Sequence, residues 1–318
     1  MGSGKKWGQR WLLLEDISNA RIKRDRNWIE AKLSKMGIDF EANDNDVENW
    51  EEIVHKEAEA GCRNFIIASD IHGFAKAVSG FLSVKNIWKF YQKFALLPPL
   101  PDNEIGKEIG IRSISAGLAA IYKGKTRKIT CGVVRWRQFP VEYIINPLTE
   151  VDSGWKEQLF VSGVAVPAYP EEDLFKKSGK KDDKSDEKKE DKFAIVLKKR
   201  FLARFPLYYV EAGRMKKHLS AELIYTALTK TGRDKLLCPS ADLFSGKITT
   251  VMIDAPPGHG FPASFFSEPS AVSVSGRSVY IRCTVPTTLY IDGKLSERYA
   301  YEIYIQALPN AVNLIVGH

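Results

Sequence analysis

The apolar positions in the first 135 residues alternate between short continuous runs and runs with helical spacing. The runs at 12–15 and 64–68 are short and apolar, which predicts two buried strands. Between them, apolar side chains recur every three or four residues, which predicts a helix from about residue 19 to 36. Further helices are predicted at 47–60, 74–94 and 113–122, with another strand at 128–134.

Beyond about residue 135 the pattern changes to short β-rich runs separated by glycine and proline. Strands are predicted at 142–145, 159–166, 247–254, 278–284 and 299–306, and helices at 193–205 and 215–229. Residues 176–192 consist almost entirely of Lys, Asp, Glu, Ser and Gly. Such a segment has too little apolar surface to form a core, so it is predicted to be a disordered insertion.

These patterns predict an α/β amino-terminal domain followed by a β-rich domain. Strands alternating with helices are typical of a parallel, doubly wound sheet, here predicted at 8–135. The short strands and turns predict an antiparallel, sandwich-like domain at 136–300. The final segment, 301–318, is predicted to pack back near the first domain.

Composition narrows the function classes only slightly. The 318 residues carry a formal net charge of +8, which would suit anionic lipid headgroups, nucleic acid or acidic proteins. The four cysteines and five histidines are scattered, so neither a zinc site nor a disulfide framework is predicted. No apolar run is long enough to cross a bilayer. A location in the cytoplasm, or at the surface of a membrane, is therefore expected.

Polar residues follow the first and second predicted strands. In doubly wound sheets, ligands bind beyond the carboxyl ends of the strands, which here are Glu15-Asp16 and Ser69-Asp70. Asp70 and His72 are candidates for an acid–base pair, although a residue at such a place often only caps a helix. Ser18 and Asn19 are each a candidate N-cap for the first helix.

Three segments together resemble one enzyme family. They are the strand-turn-helix that begins Leu14-Glu15-Asp16-Ile17-Ser18-Asn19, the strand-turn-helix at 65–82, and the final strands around Asp292-Gly293-Lys294. Their layout resembles the N-P-x-S-G, GGDGT and D-G-E segments of the diacylglycerol kinase catalytic family, which includes sphingosine kinases and YegS-like bacterial lipid kinases. The loop at 99–111 also resembles the P-L-G-T-x-N-D stretch of that family. The resemblance covers nearly the whole chain, by layout more than by identity.

The resemblance implies a nucleotide-binding domain of NAD kinase and diacylglycerol kinase type, followed by a lipid-accepting domain. ATP would bind between them and its γ-phosphate would pass to a lipid hydroxyl, with ATP and Mg²⁺ as cofactors if the protein is active. No residue is assigned as a metal ligand. The implied catalytic carboxylates are Asp292 and Asp70. The implied cofactor-binding residues are Ser18, Asn19, Ser69, His72, Gly73 and Asn103.

The departures from the family motifs fall where phosphate would bind. The first two glycines of the second motif become Ala68-Ser69 or Ser69-Asp70, Glu15-Asp16 stand for a neutral Asn-Pro, Pro101-Asp102 replace a Gly-Thr-Gly core, and Lys294 replaces a glutamate. Side chains at glycine positions hold a phosphate away from the backbone, and added carboxylates repel it. The sequence therefore favours a degenerate lipid kinase-like protein that binds a lipid, an altered nucleotide or a protein partner.

Two other functions stay open at this point. One is an active but divergent lipid kinase that phosphorylates a diacylglycerol or sphingoid hydroxyl. The other is a scaffold subunit of a larger assembly. An anionic lipid or membrane surface and a protein are both candidate partners. Nucleic acid is disfavoured, because Arg135-Trp136-Arg137 is a single basic-aromatic cluster without an RNA-binding motif around it.

Overall fold

The computed structural model describes residues 9–85, 91–138, 154–167, 207–230, 238–254 and 271–317. Its helices are α1 (Ala20–Lys35), α2 (Trp50–Glu59), α3 (Ile71–Ser83), α4 (Glu104–Glu108) and α5 (Ile114–Lys123), with a 3-10 turn at Val47–Asn49. Its strands are β1 (Trp11–Glu15), β2 (Phe40–Asn43), β3 (Asn64–Ala68), β4 (Lys93–Leu96), β5 (Thr126–Gln138), β6 (Lys156–Phe160), β7 (Gly163–Pro167), β8 (Leu207–Ala212), β9 (Met215–Ala227), β10 (Ile248–Asp254), β11 (Ala271–Gly276), β12 (Ser278–Ile291) and β13 (Lys294–Ile315).

The amino-terminal part is a parallel sheet with helices on both faces. β1 pairs in parallel with β2 and β3, and β3 pairs in parallel with β4, so the strand order is β2-β1-β3-β4. Right-handed crossovers place α1 on one face and α2 and α3 on the other. Accordingly, α1 packs beside α5, and α2 packs beside α3. Apart from Glu15 and Asn64, the residues of β1 and β3 are apolar, because helices cover both faces of these strands.

An aromatic cluster fixes α3 against β3 and β4. The ring of Phe65 stacks on that of Phe94, with centroids 4.9 Å apart. Phe74 and Phe81, both on α3, meet Phe94 edge-on at 6.3 Å and 5.5 Å. All four side chains are fully buried. This packing sets the position of the loop that precedes α3.

The strand-rich part is hydrogen-bonded to the parallel sheet through β13. β13 runs antiparallel to β12 on one side and to β5 on the other. Near its end it also joins β4 in parallel, with Leu314 opposite Phe94. The thirteen strands of the described residues therefore form one hydrogen-bonded network. The predicted fold class, an α/β part followed by a strand-rich part, is confirmed.

Several predicted elements need correction. The helix predicted at 215–229 is wrong, because β9 occupies Met215–Ala227. Its register against β10 shifts between residues 221 and 223, so a bulge hides the alternation expected of a strand. The helix predicted at 74–94 ends at Ser83. Residues 93 and 94, predicted as the end of that helix, belong to β4, which continues to Leu96. The single strand predicted at 159–166 is two strands joined by a turn.

Three sequence predictions fall outside the described residues. They are the strand at 142–145, the helix at 193–205 and the insertion at 176–192. The strands β2, β8 and β11, of four, six and six residues, were not predicted from the sequence pattern.

The packing of α2 on α3 yields a stability prediction at Gly80. A Cβ atom added there would overlap the backbone carbonyl of Glu51. Helix propensity alone would make Gly80→Ala stabilising by about 1 kcal/mol. We expect the overlap to reverse the sign and lower the free energy of unfolding by about 2 kcal/mol. Chemical denaturation measures this change in the free energy of unfolding. Asn27→Ala, at an exposed position of α1, is the control, and it should be stabilising as helix propensity predicts.

Candidate functional site

The predicted cofactor-binding residues lie along one edge of the parallel sheet. The Asp16 amide donates to the carbonyl of Ala68 at 3.0 Å, and the Leu97 amide donates to the carbonyl of Ile67 at 2.8 Å. The loops that follow β1, β3 and β4 are therefore adjacent at the carboxyl ends of the strands. They carry the candidates Ser18, Asn19, Ser69, Asp70, His72, Gly73 and Asn103.

Three of these candidates act as helix N-caps. The side chain of Asn19 accepts hydrogen bonds from the amides of Arg21 and Ile22 at the start of α1. Asp70 accepts from the amides of His72 and Gly73, at 2.9 Å and 3.2 Å, at the start of α3. Asn103 caps α4 in the same way. Amides that would face a phosphate at a helix N-terminus are thus bound to the chain's own side chains.

Ser69 and Gly73 pack against each other. The Ser69 hydroxyl donates to the carbonyl of Asp70 at 2.9 Å. A Cβ atom on Gly73 would overlap the Ser69 hydroxyl and lie 2.8 Å from Cζ3 of Trp50. Gly73 is therefore required for close packing inside the protein. A side chain already fills the space on this side of the turn.

Two side chains at the start of α3 contact an acidic neighbour. His72 Nε2 lies 3.0 Å from Oε1 of Glu48, and Lys76 Nζ lies 3.2 Å from Oε2 of the same residue. Hydrogen bonds from His72 and Lys76 lower the pKa of Glu48 below its ordinary value. The positive charge near this loop is largely balanced within the protein.

The two added carboxylates of the first turn point to internal partners. Asp16 accepts hydrogen bonds from the amide and the hydroxyl of Ser18, at 3.1 Å and 2.5 Å. Glu15 is fully buried, and Arg26 Nε lies 3.1 Å from one of its oxygens. The same guanidinium also contacts Glu30 and Asp44, so one cation serves three carboxylates.

Burial dominates the titration of Glu15. Loss of hydration raises its pKa to about 7; the nearby Arg26 opposes this shift, while Glu30 and Asp44 add to it. The sequence argument that Glu15 repels a phosphate directly is therefore weakened. Near neutral pH this carboxyl group is only partly ionised, and it is turned into the protein.

Asp292 occupies the hairpin between β12 and β13. Ile291 pairs with Lys294, and Asp292 and Gly293 both have positive φ, 48° and 78°, as a two-residue type I′ turn requires. The carboxylate of Asp292 accepts hydrogen bonds from three consecutive amides, those of Val161, Ser162 and Gly163. It therefore ties this hairpin to the turn between β6 and β7.

Desolvation is also the main influence on the pKa of Asp292. It raises the pKa of this residue to about 7, against the opposing effect of the three amide hydrogen bonds, and the charge of Glu104 adds to the rise. A carboxyl group with a pKa near neutrality can exchange a proton under working conditions.

A polar chain leads from Asp292 to the loop after β4. The Ser162 hydroxyl donates to Glu104 and lies 3.2 Å from the hydroxyl of Thr229. Burial raises the pKa of Glu104, and the Ser162 hydrogen bond limits the rise. The structure thus brings the predicted Asn103 loop next to the network around Asp292. In the described residues, no hydrogen bond or ion pair joins Asp292 to Asp70.

The sequence reasoning missed Ser162 and Thr229 as members of this cluster. Each lies at or just beyond the end of a strand in a polar turn, a common position that gave no usable signal. Glu104 entered the sequence analysis only as part of the loop at 99–111. Its place in the first turn of α4, next to Asn103, was the feature that could have identified Glu104 as part of this cluster.

The residues present do not fit Mg²⁺-bound ATP at the sheet edge. The first amides of α1 and α3 are bound by the side chains of Asn19 and Asp70, and Lys76 is paired with Glu48. Among the described residues, no group of three or more His, Cys, Asp or Glu side chains is placed to hold a metal ion.

Comparisons with known proteins agree with the fold. A provisionally named diacylglycerol kinase from Bacillus anthracis str. Sterne superposes with a TM-score of 0.66 at 11% identity, over 97% of each chain. A diacylglycerol kinase from the same organism gives 0.63 at 10% identity, over 98% of each chain. No family model and no curated protein sequence matches this chain. The protein has the diacylglycerol kinase-like fold.

The buried carboxyl group of Glu15 predicts a pH dependence of stability. Because its pKa in the folded state lies above the ordinary value of 4.5, the folded chain holds this proton more tightly than the unfolded chain. Its stabilising contribution is complete below pH 4.5 and is lost as the pH rises through 7. Over that range the wild type should lose up to about 3 kcal/mol of its free energy of unfolding. We expect Glu15→Gln to remove this loss.

Urea unfolding of wild type and Glu15→Gln, from pH 4.5 to 8, measures this difference. The matched control is Glu52→Gln at an exposed position of α2, which should leave the pH profile of wild type unchanged. Parallel profiles for wild type and Glu15→Gln would contradict the assignment.

The three amides around Asp292 predict a second stability effect. Asp292→Ala leaves them without an acceptor, which we expect to lower the free energy of unfolding by about 3 kcal/mol. Asn310, which also has positive φ (55°), provides the control, because Asn310→Ala loses only the left-handed preference. That loss is expected to be about 1 kcal/mol. Equal losses in the two variants would mean that the amide contacts contribute nothing.

Proposed function

We propose that this protein is a degenerate relative of the lipid kinases that works without phosphoryl transfer. It would bind a lipid, a protein partner or an altered nucleotide, using the fold that it shares with those kinases. The observation that carries the proposal is the capping of α3: its first amides are bound by the carboxylate of Asp70. An anionic phosphate and an anionic cap compete for the same donors.

The magnitudes favour this proposal over a conventional ATP site. Displacing an N-cap costs about 1 kcal/mol. Placing a phosphate charge about 4 Å from the Asp70 carboxylate adds between about 1 and 4 kcal/mol of repulsion, depending on how much water remains. Together these terms amount to about 2 to 5 kcal/mol and weaken binding by a factor between about 30 and a few thousand. Lys76 offers little compensation, because its ammonium group is already paired with Glu48.

One observation favours the alternative, an active and divergent lipid kinase. Asp292 combines a pKa of about 7 with a polar chain through Ser162 to Glu104, features suited to a general base. A diacylglycerol or sphingoid hydroxyl would then be the acceptor. The hairpin turn and the three amide contacts already give Asp292 a structural role, so its position alone does not require catalysis.

Calorimetry followed by an activity assay tests the proposal. We expect no Mg²⁺-dependent heat of ATP binding at millimolar nucleotide, and no transfer of γ-phosphate to diacylglycerol or sphingosine vesicles. Asp292→Asn is the control, since it keeps an amide oxygen and tolerates the left-handed turn.

Mg²⁺-dependent ATP binding together with turnover that Asp292→Asn abolishes would overturn the proposal in favour of the active kinase. Turnover that persists in Asp292→Asn would contradict both the proposal and the assignment of Asp292 as the base. Mg²⁺-dependent binding of ATP without turnover would contradict the argument from the Asp70 cap, although it would leave the absence of phosphoryl transfer in place.

A further inference from the structure

The outer face of the strand-rich part carries aromatic rings on neighbouring strands. Tyr280 on β12 lies directly opposite Tyr304 on β13, and Tyr304 lies opposite Arg135 on β5. Side chains that stand opposite each other on paired strands project on the same face of the sheet. The strand neighbours of these residues are buried in the core: Val134, Val279, Ile281, Ile303 and Ile305. The two rings and the guanidinium therefore project away from the core.

Trp155 forms one wall of a cleft on this face. It directly precedes β6, is 44% exposed, and lines a cleft of about 360 Å³ together with Arg135, Tyr280 and Tyr304. The guanidinium of Arg137 lies over the indole ring, 4.8 Å from its centroid, and so supports this wall. The volume lies at the lower end of the range of small-molecule sites.

The charges around the cleft are largely balanced. Arg135 is paired with Glu157. Arg137 and Arg282 share one carboxylate, that of Glu302, at 3.7 Å and 3.9 Å. Three guanidinium groups thus face two carboxylates, and the one that lines the cleft has a partner of its own. A highly charged ligand would therefore lose its hydration here for little electrostatic gain.

The rim of the cleft offers both hydrogen-bond donors and acceptors. Arg135 donates to Glu157 through Nε, and its two Nη groups have no hydrogen-bond partner among the described residues. The Tyr280 hydroxyl donates to Glu302 at 3.1 Å. Burial, with the charge of Glu302, raises the pKa of Tyr280 to about 12, so its oxygen stays protonated and can still accept a hydrogen bond. A ligand that suits this rim must donate as well as accept.

We propose that Trp155, Tyr280, Tyr304 and Arg135, here called the β-face cleft, bind a neutral sugar ring. One face of a pyranose consists of C–H groups, which pack on the electron-rich face of an aromatic ring. Its hydroxyl groups both donate and accept, as the Arg135 Nη groups and the Tyr280 oxygen require. The inference uses none of the candidate site residues, so it stands whether or not phosphoryl transfer remains.

Other ligands fit the cleft less well. Aromatic rings on neighbouring strands also stack the bases of single-stranded nucleic acid. That mode needs several cations free to contact phosphates, whereas Arg135, Arg137 and Arg282 all have carboxylate partners. Insertion into a bilayer needs rings that project, whereas these rings line a recess. The described residues also contain no helix that is long and apolar enough to cross a membrane.

Ligand-detected saturation-transfer NMR with the full chain tests the inference. The probes are three neutral disaccharides, cellobiose, lactose and N,N′-diacetylchitobiose, which differ in hydroxyl orientation and N-acetylation. We expect at least one to bind in the millimolar range, with the same affinity at low and high salt because the ligand carries no charge. The constituent monosaccharides show whether a single ring is enough or a chain of rings binds more tightly.

Ring deletions place the ligand in the β-face cleft. Trp155→Ala and Tyr304→Ala should each weaken binding by at least about fivefold, whereas Trp155→Phe keeps a stacking surface and should stay within about twofold of wild type. Trp28→Ala on α1 and Tyr122→Ala on α5 are the matched controls, because each removes an exposed ring from the α/β part. Both should bind as wild type does, and thermal denaturation confirms that every variant is folded.

Three results would overturn the inference. The first is that none of the disaccharides binds, or that the controls lose as much affinity as the cleft variants. The second is salt-sensitive binding of an oligothymidylate without binding of any sugar, which would assign the rings to nucleic acid. The third is an oligomer of wild type that Trp155→Ala breaks up in light scattering, which would assign this face to contacts between copies of the chain.

Discussion

The structure depends on β13, because this strand hydrogen-bonds to both the strand-rich part and the parallel sheet. The first part of β13 pairs with β12 and its later part with β5, with both partners present between residues 300 and 306, and near its end it also pairs with β4. The hairpin that begins β13 carries Asp292. Because β13 pairs with strands of both parts, it places the Asp292 hairpin relative to the loop that follows β4. The polar contacts from Asp292 through Ser162 to Glu104 follow from that constraint.

The edge of the parallel sheet shows a different use of the same fold. In a phosphate-binding turn, free amides face outward and glycines let the ligand approach the backbone. Here the side chains of Asn19 and Asp70 accept hydrogen bonds from the first amides of α1 and α3. Each of these N-caps stabilises its helix. Together they leave little for a phosphate to bind, which is the physical basis of the proposed loss of chemistry.

Much of this arrangement could be predicted from the sequence. Apolar runs located β1 and β3, and the polar residues after them correctly indicated the sheet edge. The roles of those residues were harder to predict. Whether Asp70 caps a helix or faces a ligand depends on a side-chain rotamer, and the partner of Glu15 was a distant arginine on α1. β9 was missed because a bulge disrupted its alternation.

The most direct test of the central claim is amide hydrogen exchange at the starts of α1 and α3, with and without saturating Mg²⁺ and ATP. If side chains of the protein already occupy these amides, their exchange rates should be the same in both conditions. Slower exchange at His72 and Gly73 on adding nucleotide would place a phosphate at the helix end. That result would contradict the account, because the Asp70 cap would then have to yield to the ligand.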